Sequence, residues 1–233
     1  IPVAGVTGVS VQPTHRRRGI LTKMMETQLR NVRDAGEPVA ALWATEAPIY
    51  GRFGYGRSSQ NADLAIERLR AVLRPDTGPR GTTRMVAKEE AAAILPAVYD
   101  AARTAIPGFF SHTRAWWDHR LLLDAEWNRE GASEYRYVVY EEEGQALGYT
   151  VYRTKPSWKN WVPDGLLEVL ALHARTPAAY AALWRFIFGV DLIARIEARE
   201  RSADEPLYWL LDDPRQLQRS LHDALWVRVL DVA

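Results

Sequence analysis

The stretch that most constrains this chain is Gly8-Val9-Ser10-Val11-Gln12-Pro13-Thr14-His15-Arg16-Arg17-Arg18-Gly19-Ile20-Leu21. A β-branched run ends at a proline, three consecutive arginines follow, and one glycine opens a helix-forming segment. The first amides of a helix have no partner inside it and point outward. Together with the helix dipole they favour an anion at that spot. Gly19 lets the backbone come close, and the guanidinium groups add forked donors for phosphate oxygens. A basic triplet on its own is just as well a solvated surface turn. Here the context weighs against that: Ile20, Leu21, Met24, Met25, Leu29 and Val32 are spaced for a helix with one buried face, from about Gly19 to Arg33. Gly36 follows as a left-handed stop.

On either side of that helix the pattern changes from helical to extended. Val3 to Val11 reads as a Val-rich strand with Gly5 and Gly8 inside it. Glycine in a strand marks a bulge or a close approach by a ligand, although an ordinary edge strand with loose glycines fits as well. Val39 to Ala44 is apolar on both faces, as a central parallel strand would be. Strand, helix and strand make one βαβ unit with a right-handed crossover. Ligands of open α/β sheets bind beyond the carboxyl ends of the strands. Thr45 and Glu46 stand at that end, and Tyr50 follows in a turn bounded by proline and glycine. A tyrosine in such a place is either packed at the rim of the core or chemically active.

These residues resemble a family. Val9-Ser10-Val11 with Arg-Arg-Arg-Gly-Ile-Leu is similar to the acetyl-CoA-binding motif of the GNAT N-acetyltransferases, Arg/Gln-x-x-Gly-x-Gly/Ala, with Leu21 at its third position. Ile49-Tyr50-Gly51-Arg52-Phe53-Gly54-Tyr55-Gly56 is similar to a signature of one branch, the Eis-like aminoglycoside and amine acetyltransferases of actinobacteria. The resemblance implies acetyl-CoA as cosubstrate, no metal, and a small-molecule primary amine as acceptor: an aminoglycoside, a polyamine or a lysine. It implies that Val9, Ser10 and Val11 lie along the pantetheine arm and meet the thioester carbonyl. Arg17, Arg18, Gly19, Ile20, Leu21 and Thr22 are expected at the pyrophosphate, with Thr45 and Glu46 beside them. It assigns to Tyr50 the role of general acid towards the departing CoA thiolate. A phenol with pKa about 10 gives a proton only uphill to a thiolate whose acid has pKa about 8.5. Hydrogen bonding at the transition state must therefore assist it. Phe53 and Tyr55 are expected in the core or pocket wall, and Arg52 as a structural pairing residue. The family also implies a homo-oligomer, commonly a ring-like hexamer.

Composition narrows the alternatives. A formal charge of +1 over 233 residues argues against a dedicated nucleic-acid binder. The chain has no cysteine, which removes disulfides, thiol nucleophiles and Cys-based zinc sites and fits a cytoplasmic protein. His112 and His119 are seven apart with no third ligand close by, a poor basis for zinc. No apolar run spans a bilayer, and no signal peptide opens the chain. Two rivals remain: a CoA-binding regulatory module without catalysis, and a phosphate- or RNA-binding domain using Arg16 to Arg18. The family has strands before the phosphate-gripping one and a further C-terminal domain whose terminal carboxylate is the general base. The sequence is therefore expected to be a fragment lacking both.

The expected fold class is α/β (α+β): an incomplete GNAT half followed by a second, degenerate GNAT-like domain. Residues 1–69 form the first part, closed by a strand from Gln60 to Leu69 with Ala62, Leu64 and Ile66 inward. Residues 70–83 carry Pro75, Asp76, Gly78, Pro79 and Gly81 and read as a linker. Residues 84–233 form the second part. Its strands are expected at 84–87, 135–140, 146–153, 166–172, 192–198 and 226–232, with Glu141 to Gln145 as a hairpin tip. Helices are expected around Leu95, with Pro96 kinking it or starting a fresh turn, around Trp116 and Trp117, and at 177–188, with a short one at 207–211. The segment His173-Ala174-Arg175-Thr176-Pro177 occupies the place of the first helix mouth but has neither glycine nor an arginine cluster. No cofactor site is expected there.

Overall fold

The structure is a computed structural model that describes residues 1–75, 80–106 and 108–232. In chain order the elements are β1 (Val3–Gly5), α1 (Ile20–Asp34), β2 (Val39–Trp43), α2 (Ala47–Gly51), β3 (Gly56–Arg57), β4 (Gln60–Glu67) and β5 (Thr82–Val86). Then follow α3 (Lys88–Arg103), α4 (Arg114–His119), β6 (Arg136–Glu142), β7 (Gln145–Lys155), β8 (Trp158–Lys159) and β9 (Val162–Pro163). The chain finishes with β10 (Gly165–Ala174), α5 (Pro177–Phe188), β11 (Ile193–Ser202), α6 (Leu207–Leu210), β12 (Gln218–Asp223) and β13 (Leu225–Val229). It divides into two compact units, one of Ile1–Asn61 with the segment from Leu221 on, the other of Ala62–Ser220.

The first unit holds a mixed sheet in the order β1-β2-β13-β3. β1 and β2 are parallel, with Val3 opposite Val39 and Gly5 opposite Ala41, and α1 connects them. Met25, Leu29 and Val32 of α1 pack with Ala4, Ala40 and Leu42, so the helical spacing meets the inner faces of both strands. Met24, one residue off that face, is 41% exposed. The helix ends as expected: Gly36 has φ +72, Glu37 N–H reaches Val32 O at 3.1 Å and Gly36 N–H reaches Arg33 O at 2.9 Å. This is a Schellman closure, and it needs the left-handed residue that glycine supplies.

Three expectations are corrected here. The strand expected from Val3 to Val11 is paired only as far as Val6, whose N–H donates to Ala41 O at 2.9 Å. Gly8 then takes φ +67, which extended pairing does not allow, and Val9 to Val11 leave the ladder. β2 is buried on both faces only at Ala40 to Leu42, while Trp43 at its end is 68% exposed. The last strand belongs to this unit, not the second: β13 runs antiparallel to β2, with Leu225 opposite Trp43 and Val229 opposite Val39.

The second unit holds a seven-stranded sheet in the order β12-β4-β11-β10-β7-β6-β5. β4, expected to close the first part, lies here. Its inward residues Ala62, Leu64 and Ile66 join a core with Leu167, Val169, Leu183 and Ile196. The units therefore do not divide at the turn-rich stretch 70–83. Leu73 bridges to Leu211 within the second unit, while Asp76, Gly78 and Pro79 of the expected linker lie outside the described residues. Alternation in β4 identifies a strand but not its partner sheet, because register and pairing are set by residues far along the chain. β10 and β11 are parallel and α5 joins them.

Pro96 does not break α3, which runs unbroken from Lys88 to Arg103. Its buried face, Ala91, Leu95, Val98, Tyr99 and Ala102, packs with Val139, Tyr149 and Val151. That burial outweighs a penalty of about 3 kcal/mol for an internal proline. The hairpin tip is shorter than expected. Glu141 and Glu142 are paired in β6, and only Glu143 (φ +50) and Gly144 (φ +75) make the turn. His112 lies stacked between Tyr99 and Trp116, and no group of three or more potential metal ligands occurs among the described residues. No helix among them is long and apolar enough to cross a membrane.

Candidate functional site

In the first unit, β1 ceases to pair after Val6 while β2 continues to Trp43. A cleft of about 500 Å³ opens from the carboxyl ends of these two parallel strands to the first turn of α1. Val9, Ser10 and Val11 line it, freed from the ladder by Gly8. Gly19, Ile20, Leu21 and Thr22 line it from the helix mouth, and Thr45 and Glu46 from beyond β2. Tyr50, on α2, completes the wall. Eleven of the twelve residues singled out in the sequence thus meet in one concavity.

The mouth of α1 is open. Gly19 is its N-cap at φ +75 and offers no side chain to cap the first amides; the first turn carries no acidic residue either. A Cβ added at Gly19 would meet nothing within 4 Å, so the residue is required by its dihedral and not by crowding. Arg17 adopts φ +62, a region in which a side chain is uncommon. The loop therefore holds an arginine, under backbone strain, where glycine would be easier.

Arg18 is the exception. It is exposed and is not among the residues lining the cleft. Because Arg17 and Gly19 both turn left-handed, consecutive side chains of the loop cannot all face one way. The cleft also takes in His15, which the sequence offered as an extra phosphate donor or a surface residue, together with Arg16, Ile49 and Arg52. Arg16 Nε donates to Val11 O at 3.4 Å and His15 Nδ1 lies 2.9 Å from Thr14 Oγ1. Arg52 was expected as a pairing residue, and its guanidinium sits over the Phe53 ring at 4.9 Å. The continuous basic run His15-Arg16-Arg17-Arg18 before Gly19 was the available signal for His15 and Arg16. Which of them face inward depends on a short 3-10 turn, Pro13–His15, that periodicity does not reveal.

Tyr50 is 9% exposed and is held from behind. The Tyr55 ring meets it edge-on, with centroids 6.1 Å apart and planes at 74°. Tyr55 is itself 3% exposed and its hydroxyl has no hydrogen-bond partner among the described residues. Burial pushes the Tyr55 phenol up, Arg228 draws it down and Tyr50 raises it again. Arg228 Nη1 donates to Phe53 O, so it anchors the backbone of the Phe53-Gly54 turn. Gly54 has φ +78, and a Cβ there would come to 3.0 Å from that guanidinium. The glycine is thus fixed both by dihedral and by the close approach of Arg228.

An open set of helix amides beside cationic side chains and a nearly buried phenol suits a thioester carried on a phosphorylated arm. Two family models, each described as an acetyltransferase (GNAT) domain, match this chain at residues 1–58 and 108–229. An uncharacterized N-acetyltransferase of Streptomyces avermitilis is 42% identical over 234 residues, covering 100% of this chain and 57% of the relative. N-acetyltransferase Eis of Mycobacterium tuberculosis is 35% identical over 237 residues, covering 100% of this chain and 56% of the relative. The crystal structure of Eis1 from Mycobacterium abscessus superposes with TM-score 0.79 at 33% identity, over 99% of this chain and 57% of that one. The chain belongs to the GNAT N-acetyltransferases and, within them, to the Eis-like branch. It carries two GNAT-like domains and spans little more than half the length of these relatives. A GCN5-related N-acetyltransferase from Anabaena variabilis, TM-score 0.81 at 15% identity over 99% of this chain and 56% of that one, shares the fold.

Proposed function

We propose that the first unit carries the donor site of an acetyl-CoA-dependent transferase acting on a primary amine, with aminoglycosides, polyamines and protein lysines as the acceptors to assay. The observation that carries this reading is the convergence of the open α1 mouth, Arg17 and Tyr50 on one cleft. The residues fit the group. The amides of Gly19 to Thr22 and the Arg17 guanidinium are free to hold a pyrophosphate, and the unladdered backbone of Val9 to Val11 can pair with a pantetheine arm. Thr45 and Glu46 form the wall beyond β2. Bound there, acetyl-CoA supplies an acyl carbon activated as a thioester.

In transfer, a carbon–nitrogen bond forms from the neutral amine, the carbon–sulfur bond breaks, and the nitrogen gives up one proton to solvent, which returns a proton to the phenolate that Tyr50 becomes. The backbone amides along Val9 to Val11 stabilise the carbonyl oxygen as it gains charge. Tyr50 gives its phenolic proton to the departing sulfur, and its packing against Tyr55 limits the orientations it must search. The test pairs a coenzyme A titration with an acetylation assay over a panel of amines, in wild type and Tyr50→Phe. Tyr50→Phe is expected to keep its affinity for coenzyme A and to lose rate by about 100-fold, in the range of a general acid. Equal turnover in both proteins removes Tyr50 from the chemistry. Binding without turnover in either favours a coenzyme A-binding module. Failure to bind coenzyme A overturns the donor site.

A further inference from the structure

In the second unit, β8 and β9 form a two-stranded sheet of their own, separate from the seven-stranded one. Trp158 is opposite Pro163 and Lys159 opposite Val162, so Asn160 and Trp161 make the turn between them. Both have positive φ, +50 at Asn160 and +65 at Trp161. That is the pattern of a type I′ hairpin, for which Asn-Gly is the favoured pair. Asn160 suits its place, and Trp161 stands where glycine belongs. A bulky side chain in the left-handed region is strained, and such strain is kept where the side chain is put to use. The use is not burial within the chain: Trp161 is 97% exposed, Val162 63% and Trp158 60%. Every residue from 155 to 162 is exposed.

A strained, solvated tryptophan at a hairpin tip points to a partner from outside the chain, and area and charge together select its kind. Two indole rings and Val162 offer roughly 300–500 Å². Each side of a stable protein complex buries about 800 Å². A bilayer sets no such requirement, because a few side chains can enter its headgroup layer without a complementary surface. Tryptophan suits that layer, with its ring towards the acyl chains and its N–H towards headgroups and water. The charge agrees. From Lys155 to Pro163 the chain carries Lys155 and Lys159 and no acidic residue. Arg153 is already held by Glu168, and Asp164 stands at the base of the hairpin, its N–H on Ser157 O at 2.8 Å. Lysines beside apolar rings are drawn to anionic headgroups. We propose that the β8–β9 tip is a peripheral contact for an anionic lipid bilayer, with Trp158 and Trp161 at the headgroup level and Lys155 and Lys159 on lipid phosphates. This contact lies in the second unit and does not depend on the reading of the cleft in the first.

The experiment is flotation of wild type, Trp161→Gly and Lys159→Gln with vesicles of phosphatidylcholine alone and of phosphatidylcholine mixed with phosphatidylglycerol. Wild type is expected to bind the mixed vesicles more tightly than the neutral ones, and Trp161→Gly to bind them about 10-fold less tightly than wild type. Lys159→Gln weakens binding to the mixed vesicles by about 5-fold and leaves binding to the neutral ones unchanged. Trp161→Gly restores the favoured turn pair, so its midpoint in urea unfolding should equal or exceed that of wild type. A lowered midpoint means that the ring serves the fold itself and overturns the inference. So does a wild type that stays off the mixed vesicles, or that binds them no better than Trp161→Gly. Equal binding of wild type to both kinds of vesicle overturns the choice of an anionic surface. If wild type without vesicles sediments as a larger species than Trp161→Gly, the tip belongs to a contact with a second copy of the chain, and the lipid contact is overturned.

Discussion

Tyr55, Arg68 and Trp184 each bury a polar side-chain atom without a hydrogen-bond partner among the described residues, and Tyr55 is the one beside the cleft. Its hydroxyl is buried without a hydrogen-bond partner, and an unmade bond of that kind costs about 1–3 kcal/mol. The ring, in contrast, is well used, because its edge supports Tyr50 from behind. Tyr55→Phe removes the orphan oxygen and keeps the ring. It is expected to raise stability by about 1 kcal/mol in urea unfolding and to leave coenzyme A affinity unchanged. A loss of stability would mean that the hydroxyl has a bound partner. Arg17 presents the opposite case: strain in the backbone is kept for a side chain facing the cleft. Residues of this second kind could be read from the sequence, since Arg17, Gly19 and Tyr50 stand in local motifs. Tyr55, in the same local motif, was placed in the core or pocket wall, but Arg228 was silent, because the turn it anchors is held by a strand more than half the chain away.

At the scale of elements, β1-α1-β2 and β10-α5-β11 follow one plan and end in different mouths. At α5, Thr176 Oγ1 accepts from Ala179 N–H at 3.1 Å, and Pro177 has no N–H to offer. Beside it Arg201 donates to Leu172 O at 3.1 Å and pairs with Glu205, and Tyr180, from the first turn of α5, also donates to Glu205. Where α1 offers free amides, α5 is capped by Thr176, and a buried ionic pair meets the Tyr180 hydroxyl nearby. Arg201→Met leaves a carboxylate that is 2% exposed without its counter-charge and is expected to destabilise the protein by about 3–5 kcal/mol. Arg201→Met with Glu205→Leu should recover most of that loss in the same unfolding measurement; no recovery would show that the cluster contributes more than charge neutralisation. Both βαβ units were legible because an apolar period, a glycine or proline, and a change from 2- to 3.6-residue spacing are local signals. The pairing of β13 with β2 and of β4 with β11 was not, since alternation defines a face but not a partner. The Arg201–Glu205 pair was equally silent, being spaced like a helix pair but placed across the end of β11.

For the molecule as a whole, the first groups to respond to acid include two histidines of the second unit. His173 is ringed by Tyr99, Phe109 and Tyr149. Burial first, then Arg201 and His112, push its pKa down to about 3. Burial also lowers His112, between Tyr99 and Trp116, with Asp100 pulling the other way and Arg103 adding to the fall. Both lie in the second unit. Their folded pKa values stand below the unfolded value of about 6.5. Above that pH both states are neutral at these sites and the stability is present in full. As pH falls from about 6.5 towards 3, the unfolded chain binds protons that the folded chain refuses, and each pH unit costs up to about 1.4 kcal/mol for His173. Glu141, lowered by its bond to Arg84, acts in the same direction only at lower pH, as its carboxyl begins to protonate. The second unit is therefore expected to lose stability steadily below about pH 6.5, before carboxylates contribute. Urea unfolding of wild type and His173→Phe from pH 7 to 4, followed by the fluorescence of the buried Trp117 and Trp184, checks it. His173→Phe keeps the aromatic packing and should flatten that slope. An identical slope in the two proteins would mean that His173 takes its proton in the folded state, and that the aromatic ring around it opens without unfolding.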